Sequence, residues 1–239
     1  MPNTYFKFKQ FTINQDKCAM KVCTDACILG AWFSNKIAQH ARVLDIGAGT
    51  GLLMMMLAQR SQAAIHGIEI DGDAYQQLQE NTTQNDWQER LQVFQGDVRS
   101  FQFPHRYDFI ISNPPFFESD WLSANNREQI AKHSTQLTLD ELLPVIAGNL
   151  QPQGEFGILL PFHRWEYFNK LAGQHQFSLA EKLIVKQSPK HPPFRTILHY
   201  TRNKVDTATT ADLTIQQIDR AYTPEFATLL KDYYLYLQE

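Results

Sequence analysis

Excess charge of one sign, cysteine and long apolar runs are all scarce in this chain of 239 residues. Its 22 lysines and arginines nearly balance 25 aspartates and glutamates, leaving a formal charge of -3, so any nucleic acid must be held by a local basic patch rather than by a global field. The three cysteines, Cys18, Cys23 and Cys27, are odd in number and spaced C-x4-C-x3-C. That spacing matches neither a disulfide framework nor the usual zinc or iron-sulfur ligand sets, so reduced structural thiols and no metal are expected. The longest apolar region, Ile46 to Ala58, is interrupted by glycines. It falls far short of the roughly 20 residues that span a bilayer, and no membrane-crossing helix is expected. The stretch from Tyr5 to Phe11 mixes aromatic and basic residues without an apolar leader core, which sets a cytoplasmic location as the expectation.

What is present is the composition of an ordinary globular protein: 43% hydrophobic residues, 11 glycines and 11 prolines. Residues 1–40 read as an N-terminal extension, with an alternating stretch from Tyr5 to Ile13, a polar turn, and helical spacing from Thr24 to Phe33. Residues 41–239 read as the main domain. Strand runs at Val43–Ile46, Ala64–Ile70, Leu91–Gln95, Tyr107–Ser112 and Gly154–Leu160 alternate with helical stretches at Leu52–Arg60, Ala74–Thr83 and Leu139–Leu150. This alternation specifies a largely parallel α/β sheet covered on both faces. Beyond Pro161 two segments, Glu181–Gln187 and Thr196–Arg202, are close enough to pair antiparallel across a proline-rich connection. A short strand and a helix with Phe226, Leu229, Leu230 and Tyr233 on one face close the chain.

The run from Val43 to Gly51 takes a buried strand straight into a glycine turn and a helix. Gly47, Gly49 and Gly51 form G-x-G-x-G, one residue shorter than the dinucleotide fingerprint, which suits a smaller nucleoside better than a pyrophosphate. Glu69, at the end of the next strand, can accept from ribose hydroxyls, and Asp97, after the third strand, can take an adenine amine. Asp45 lies beside the turn, where a carboxylate suits an ammonium and a sulfonium. S-adenosylmethionine meets these requirements together. Each piece alone is weak, since glycine turns often merely end strands; the ordered set carries the reading.

After the fourth strand comes Asn113-Pro114-Pro115-Phe116. At the switch point of a parallel sheet this loop faces the glycine turn, where donor and acceptor of a methyl group would meet. The prolines stiffen the chain and leave the Asn113 side-chain oxygen and the Pro114 carbonyl as two acceptors for the hydrogens of an NH2 group. Phe116 offers a flat face on which a base can stack. The plainer alternative is a rigid turn with a core phenylalanine.

These residues resemble the class I S-adenosylmethionine-dependent amino methyltransferases that carry an Asn-Pro-Pro-aromatic motif. Over nearly the whole chain, through Phe8 to Phe11, Cys18 to Asp25, Leu29 to Trp32, Leu44 to Arg60 and Ile110 to Phe116, the sequence is similar to the bacterial tRNA1(Val) adenine-37-N6-methyltransferase family. The resemblance implies a seven-stranded Rossmann-like sheet with one antiparallel strand at Thr196–Arg202. It also implies methylation of N6 of the adenine beside the anticodon of a valine tRNA, and adds Thr24 and Asp25 to the cofactor pocket. Lys7, Lys9 and Lys21 near the N-terminus and Lys186, Lys190 and Arg195 around the proline-rich connection are the candidate contacts to an anticodon stem-loop. A protein glutamine N5-methyltransferase presents a similar NH2 group to Asn113, and an rRNA guanine-N2-methyltransferase is a second rival. Both relatives generally carry further N-terminal segments in front of the first strand. An inactive RNA-binding module would be marked by loss of Asn113 or the glycines, and both are present.

Overall fold

A computed structural model describes residues 3–18, 20–115 and 137–237. The expected stacking residue Phe116 lies outside the described residues. The chain opens with an antiparallel hairpin, β1 (Tyr5–Lys7) and β2 (Thr12–Asn14), in which Phe6 faces Ile13. Helix α1 (Thr24–Ser34) leads into β3 (Arg42–Ile46), α2 (Leu52–Arg60), β4 (Ala64–Glu69), α3 (Gly72–Thr83), β5 (Leu91–Gln95) and β6 (Tyr107–Ser112). After residue 136 come α4 (Leu139–Asn149), β7 (Leu150–Pro161), α5 (Trp165–Gln174), β8 (Ser178–Lys186), β9 (Pro193–Thr201), β10 (Thr209–Thr214) and α6 (Pro224–Leu230).

The main sheet runs β10-β8-β9-β7-β6-β3-β4-β5. As expected, β9 is the one antiparallel strand of this sheet among the described residues, opposed to both β7 and β8. The sheet has eight strands rather than seven because β10 adds to β8 at the edge. Its first four residues are exposed and polar or small, so little in the sequence marks it as a strand before Leu213. Helix α5 is also absent from the sequence reading. Phe168 and Ala172 are its buried residues, and Trp165 and Leu171 pack against the same core.

Both faces of the sheet are covered, which is why the central strands are near-continuously apolar. Along β3, Val43 packs with Phe33, Met54 and Ile65 beneath α1 and α2, while Leu44 and Ile46 pack with Ile110, Leu142 and Phe156 on the other face. The N-terminal extension shares the first of these cores through Phe8, Phe11 and Ile13. A buried amide fastens it further. Asn81 of α3 exchanges two 2.9 Å hydrogen bonds with the backbone of Asn14 and donates a third, also 2.9 Å, to the Thr50 carbonyl in the glycine turn. Among the described residues no helix is long and apolar enough to cross a membrane.

Candidate active site

Three strand ends meet at one height. Ser112 of β6 is opposite Ile46 of β3, and Ile46 is opposite Ile68 of β4. The Ser112 hydroxyl donates to the Ile46 carbonyl at 2.9 Å, so Asn113 and Gly47 leave adjacent strands side by side, about 4.8 Å apart in sheet spacing. Beyond Ile46 the chain turns back, and the N–H groups of Gly47 and Ala48 both donate to the Ile68 carbonyl at 3.0 Å. Gly47, Gly49 and Gly51 hold φ values of +73°, +54° and +83°, a region that residues with a Cβ seldom enter. Their tasks differ. A Cβ on Gly51 would sit 2.8 Å from Leu78 Cδ1, so that glycine permits close packing of α3; a Cβ on Gly47 would meet nothing within 4 Å among the described residues, which leave the backbone there bare.

The carboxylates around this turn sit in three distinct environments. Glu69, at the end of β4, accepts from the Gly49 N–H at 2.9 Å, from Ile70 N–H at 2.9 Å and from Asp71 N–H at 3.0 Å. These three donors fix its plane and fill most of its roughly four lone-pair sites, leaving about one for a ligand hydroxyl. Asp97, after β5, is gripped by Arg99, whose Nε and Nη2 donate at 2.9 Å and 2.6 Å and hold the carboxyl below its ordinary range. Arg99 also pairs with Glu141 of α4 at 3.1 Å, tying this corner together. Asp45 is the opposite case. It is fully buried, neither carboxylate oxygen has a hydrogen-bond partner among the described residues, and burial, with a smaller push from Glu69, raises its pKa to about 8.

A buried carboxylate left unpaired is costly, and a cation with N–H donors relieves it. The ammonium of an S-adenosylmethionine amino-acid moiety is such a group, and the bare backbone at Gly47 and Gly49 leaves room for it. The residues therefore fit this cofactor. The second orphan is the Asn113 side-chain oxygen, also buried and without a partner among the described residues. Leaving such an acceptor unmatched costs about 1 to 3 kcal/mol, which a donor group on a bound ligand recovers. Pro114 behind it is buried and Pro115 is exposed.

Residues 24–157 match the model of the methyltransferase small domain family. The chain is 44% identical over 237 residues to the tRNA1(Val) (adenine(37)-N6)-methyltransferase of Dyadobacter fermentans, covering 98% of each chain. It belongs to the tRNA1(Val) (adenine(37)-N6)-methyltransferase family. Among solved structures it is similar to a predicted O-methyltransferase, protein Atu636 from Agrobacterium tumefaciens, with TM-score 0.66 and 16% identity over 89% of this chain and 99% of that one. It is also similar to the glycopeptide N-methyltransferase MtfA complexed with S-adenosylmethionine, with TM-score 0.54 and 10% identity over 73% and 86% of the two chains. At these identities the likeness is one of fold, the class I methyltransferase fold.

Within this family member the remaining candidates fall in different places. Thr24 and Asp25 open α1, and Asp25 binds Arg195 Nε at 2.8 Å, so a residue assigned to the cofactor and one assigned to RNA form a single ion pair. Lys21 donates to the Asn3 carbonyl at 3.1 Å a few residues before α1. Lys186 pairs with Asp212 at 3.2 Å, and Lys190 lies exposed in the β8–β9 turn. Lys7 and Lys9 are set apart from these. Lys9 donates to the Lys231 carbonyl at 2.6 Å, next to Asp232, which pairs with Arg60 at the end of α2 remote from the glycine turn. Lys7 sits on the same hairpin, opposite Thr12. Sequence reasoning missed Arg99 and Asn81. The Asp-x-Arg spacing was a local signal for the first; the second depends on contacts across 67 residues and had none.

Proposed function

We propose that this protein transfers a methyl group from S-adenosylmethionine to N6 of adenine 37 in tRNA1(Val). The names of its relatives support the substrate. The observation that carries the chemistry is the Asn113 oxygen, buried without a partner among the described residues, one strand from the glycine turn. When bound, the cofactor supplies an electrophilic methyl carbon on a sulfonium. Asp45 receives its ammonium, Glu69 a ribose hydroxyl and Asp97 the adenine amine, with Thr24 and Asp25 closing the pocket.

The exocyclic amine of adenine is a poor nucleophile because its lone pair is shared with the ring. Asn113 and the Pro114 carbonyl accept its two hydrogens and favour the pyramidal nitrogen over the flat one, so they bind the transition state better than the ground state. Phe116 stacks the flipped base. No strong base is needed, since the methylated cation sheds its proton to water.

The test is to incubate the purified protein with labelled S-adenosylmethionine and total tRNA from cells lacking it, digest to nucleosides, and map the label. Label in N6-methyladenosine at position 37 of tRNA1(Val) is the expected result. Label in a methylguanosine, or in a protein glutamine, overturns it.

A further inference from the structure

The edge of the sheet that carries the site is divided by charge. On the β3-β4-β5 side, Glu69, Asp71 and Asp73 stand around or just beyond the glycine turn, and such a cluster repels a phosphate backbone, while Asp97 is paired with Arg99. The other side begins one strand beyond Asn113, where β7 ends and turns through Phe162–Arg164 into α5. There cations and rings are interleaved. The Arg164 guanidinium lies 5.6 Å from the centre of the Tyr167 ring, and the Lys182 ammonium, reaching across from β8, lies 3.7 Å from the centre of the Trp165 ring. Tyr167 is 46% exposed, and its hydroxyl donates to Asp140 at 2.6 Å, which holds the ring and occupies that carboxylate. Among the described residues neither Arg164 nor Lys182 has an ion-pair partner, whereas Lys186 and Arg195 are paired with Asp212 and Asp25.

We propose that this corner, formed by Arg164, Trp165, Tyr167 and Lys182, holds the single-stranded RNA that flanks the target base. The proposal rests on the reading of an RNA substrate. Unstacked bases lie on aromatic faces and on guanidinium planes, which the exposed Tyr167 ring and Arg164 offer here, and Lys182 adds a cation for the phosphates. The strand reaches Asn113 from the β7 side and avoids the acidic half of the edge. Glu166, exposed in the first turn of α5, and Asp140, whose charge the Tyr167 hydroxyl does not cancel, work against RNA at this corner.

The test uses the full chain with unmodified tRNA. The Arg164→Gln, Lys182→Gln double variant should raise KM for tRNA about tenfold or more and flatten the salt dependence, by about 0.7 in the log–log slope for each phosphate no longer neutralised. Its affinity for S-adenosylhomocysteine should stay unchanged. Tyr167→Phe keeps the ring but frees Asp140, so it should raise KM less than Tyr167→Leu, which loses the stacking face. Glu166→Gln, which carries little folding risk, should lower KM for tRNA. If the wild type methylates no tRNA, the reading of the substrate fails. If it does so and the double variant keeps both KM and salt slope, or Glu166→Gln leaves KM unchanged, the corner is not the RNA surface.

Discussion

Replacing Asp45 by Asn tests the cofactor site where its electrostatics are most exposed to measurement. In the folded chain the Asp45 carboxyl has a pKa of about 8, against 3.8 for the ordinary side chain. Between those values the folded state binds a proton that the unfolded state does not, so this group's contribution is full below about pH 4 and is lost as pH rises to about 8. The asparagine variant cannot titrate, although it keeps an unmatched polar group and hence a constant offset. The stability of Asp45→Asn minus that of the wild type should therefore grow by about 1.4 kcal/mol per pH unit from pH 5 to 7, about 3 kcal/mol in all. It should level off above pH 8. Urea unfolding of both ligand-free proteins at four or five pH values measures it, and taking the difference removes every other titrating group. Calorimetry supplies the second half. S-adenosylhomocysteine carries the same ammonium, so its binding to the wild type at pH 7 should expel most of one proton, read from buffers of different ionisation enthalpy, and binding to Asp45→Asn should be weaker and expel none. Parallel stability curves would mean that Asp45 has an unrecognised partner, and proton-neutral binding would place the ammonium elsewhere.

Asn113→Ala should cut methyl transfer by about a factor of 100 or more with cofactor affinity nearly unchanged, as removal of a preorganised polar group does; single-turnover rates at the wild-type level would remove Asn113 from the chemistry. Glu69→Ala should weaken cofactor binding by calorimetry, and unaltered affinity would move the ribose contact. Gly47→Ala and Gly51→Ala separate the two uses of the glycine turn. The first projects a methyl where no described residue comes within 4 Å and should lose cofactor affinity beyond the small drop in melting temperature that its positive φ entails. The second drives a methyl against Leu78 and should lose stability foremost. The reverse ranking would exchange their roles.

The parallel core strands, the glycine turn and the Asn-Pro-Pro loop were all legible in the order of residues, because a strand buried on both faces writes itself as an unbroken apolar run and a turn at positive φ writes itself as glycine. The edge strand Thr209–Thr214 was legible only from Leu213, because its first four residues are exposed, and the helix Trp165–Gln174 was not read although Trp165, Phe168, Leu171 and Ala172 share one face. Local sequence likewise named Asp45, Glu69, Asp97 and Asn113 as candidates but could not tell their states apart. The Asp97–Arg99 pair and the Ile70 and Asp71 donors to Glu69 join near neighbours in the chain; only the packed fold decided that Gly49 completes the anchoring of Glu69 and that Asp45 and the Asn113 oxygen are buried with no partner among the described residues. It also separated Lys9 from the catalytic edge and joined Asp25 to Arg195 across 170 residues. Desolvation and pairing depend on what the rest of the chain brings within a few ångströms of a side chain, and that is a property of tertiary contacts rather than of neighbours in sequence.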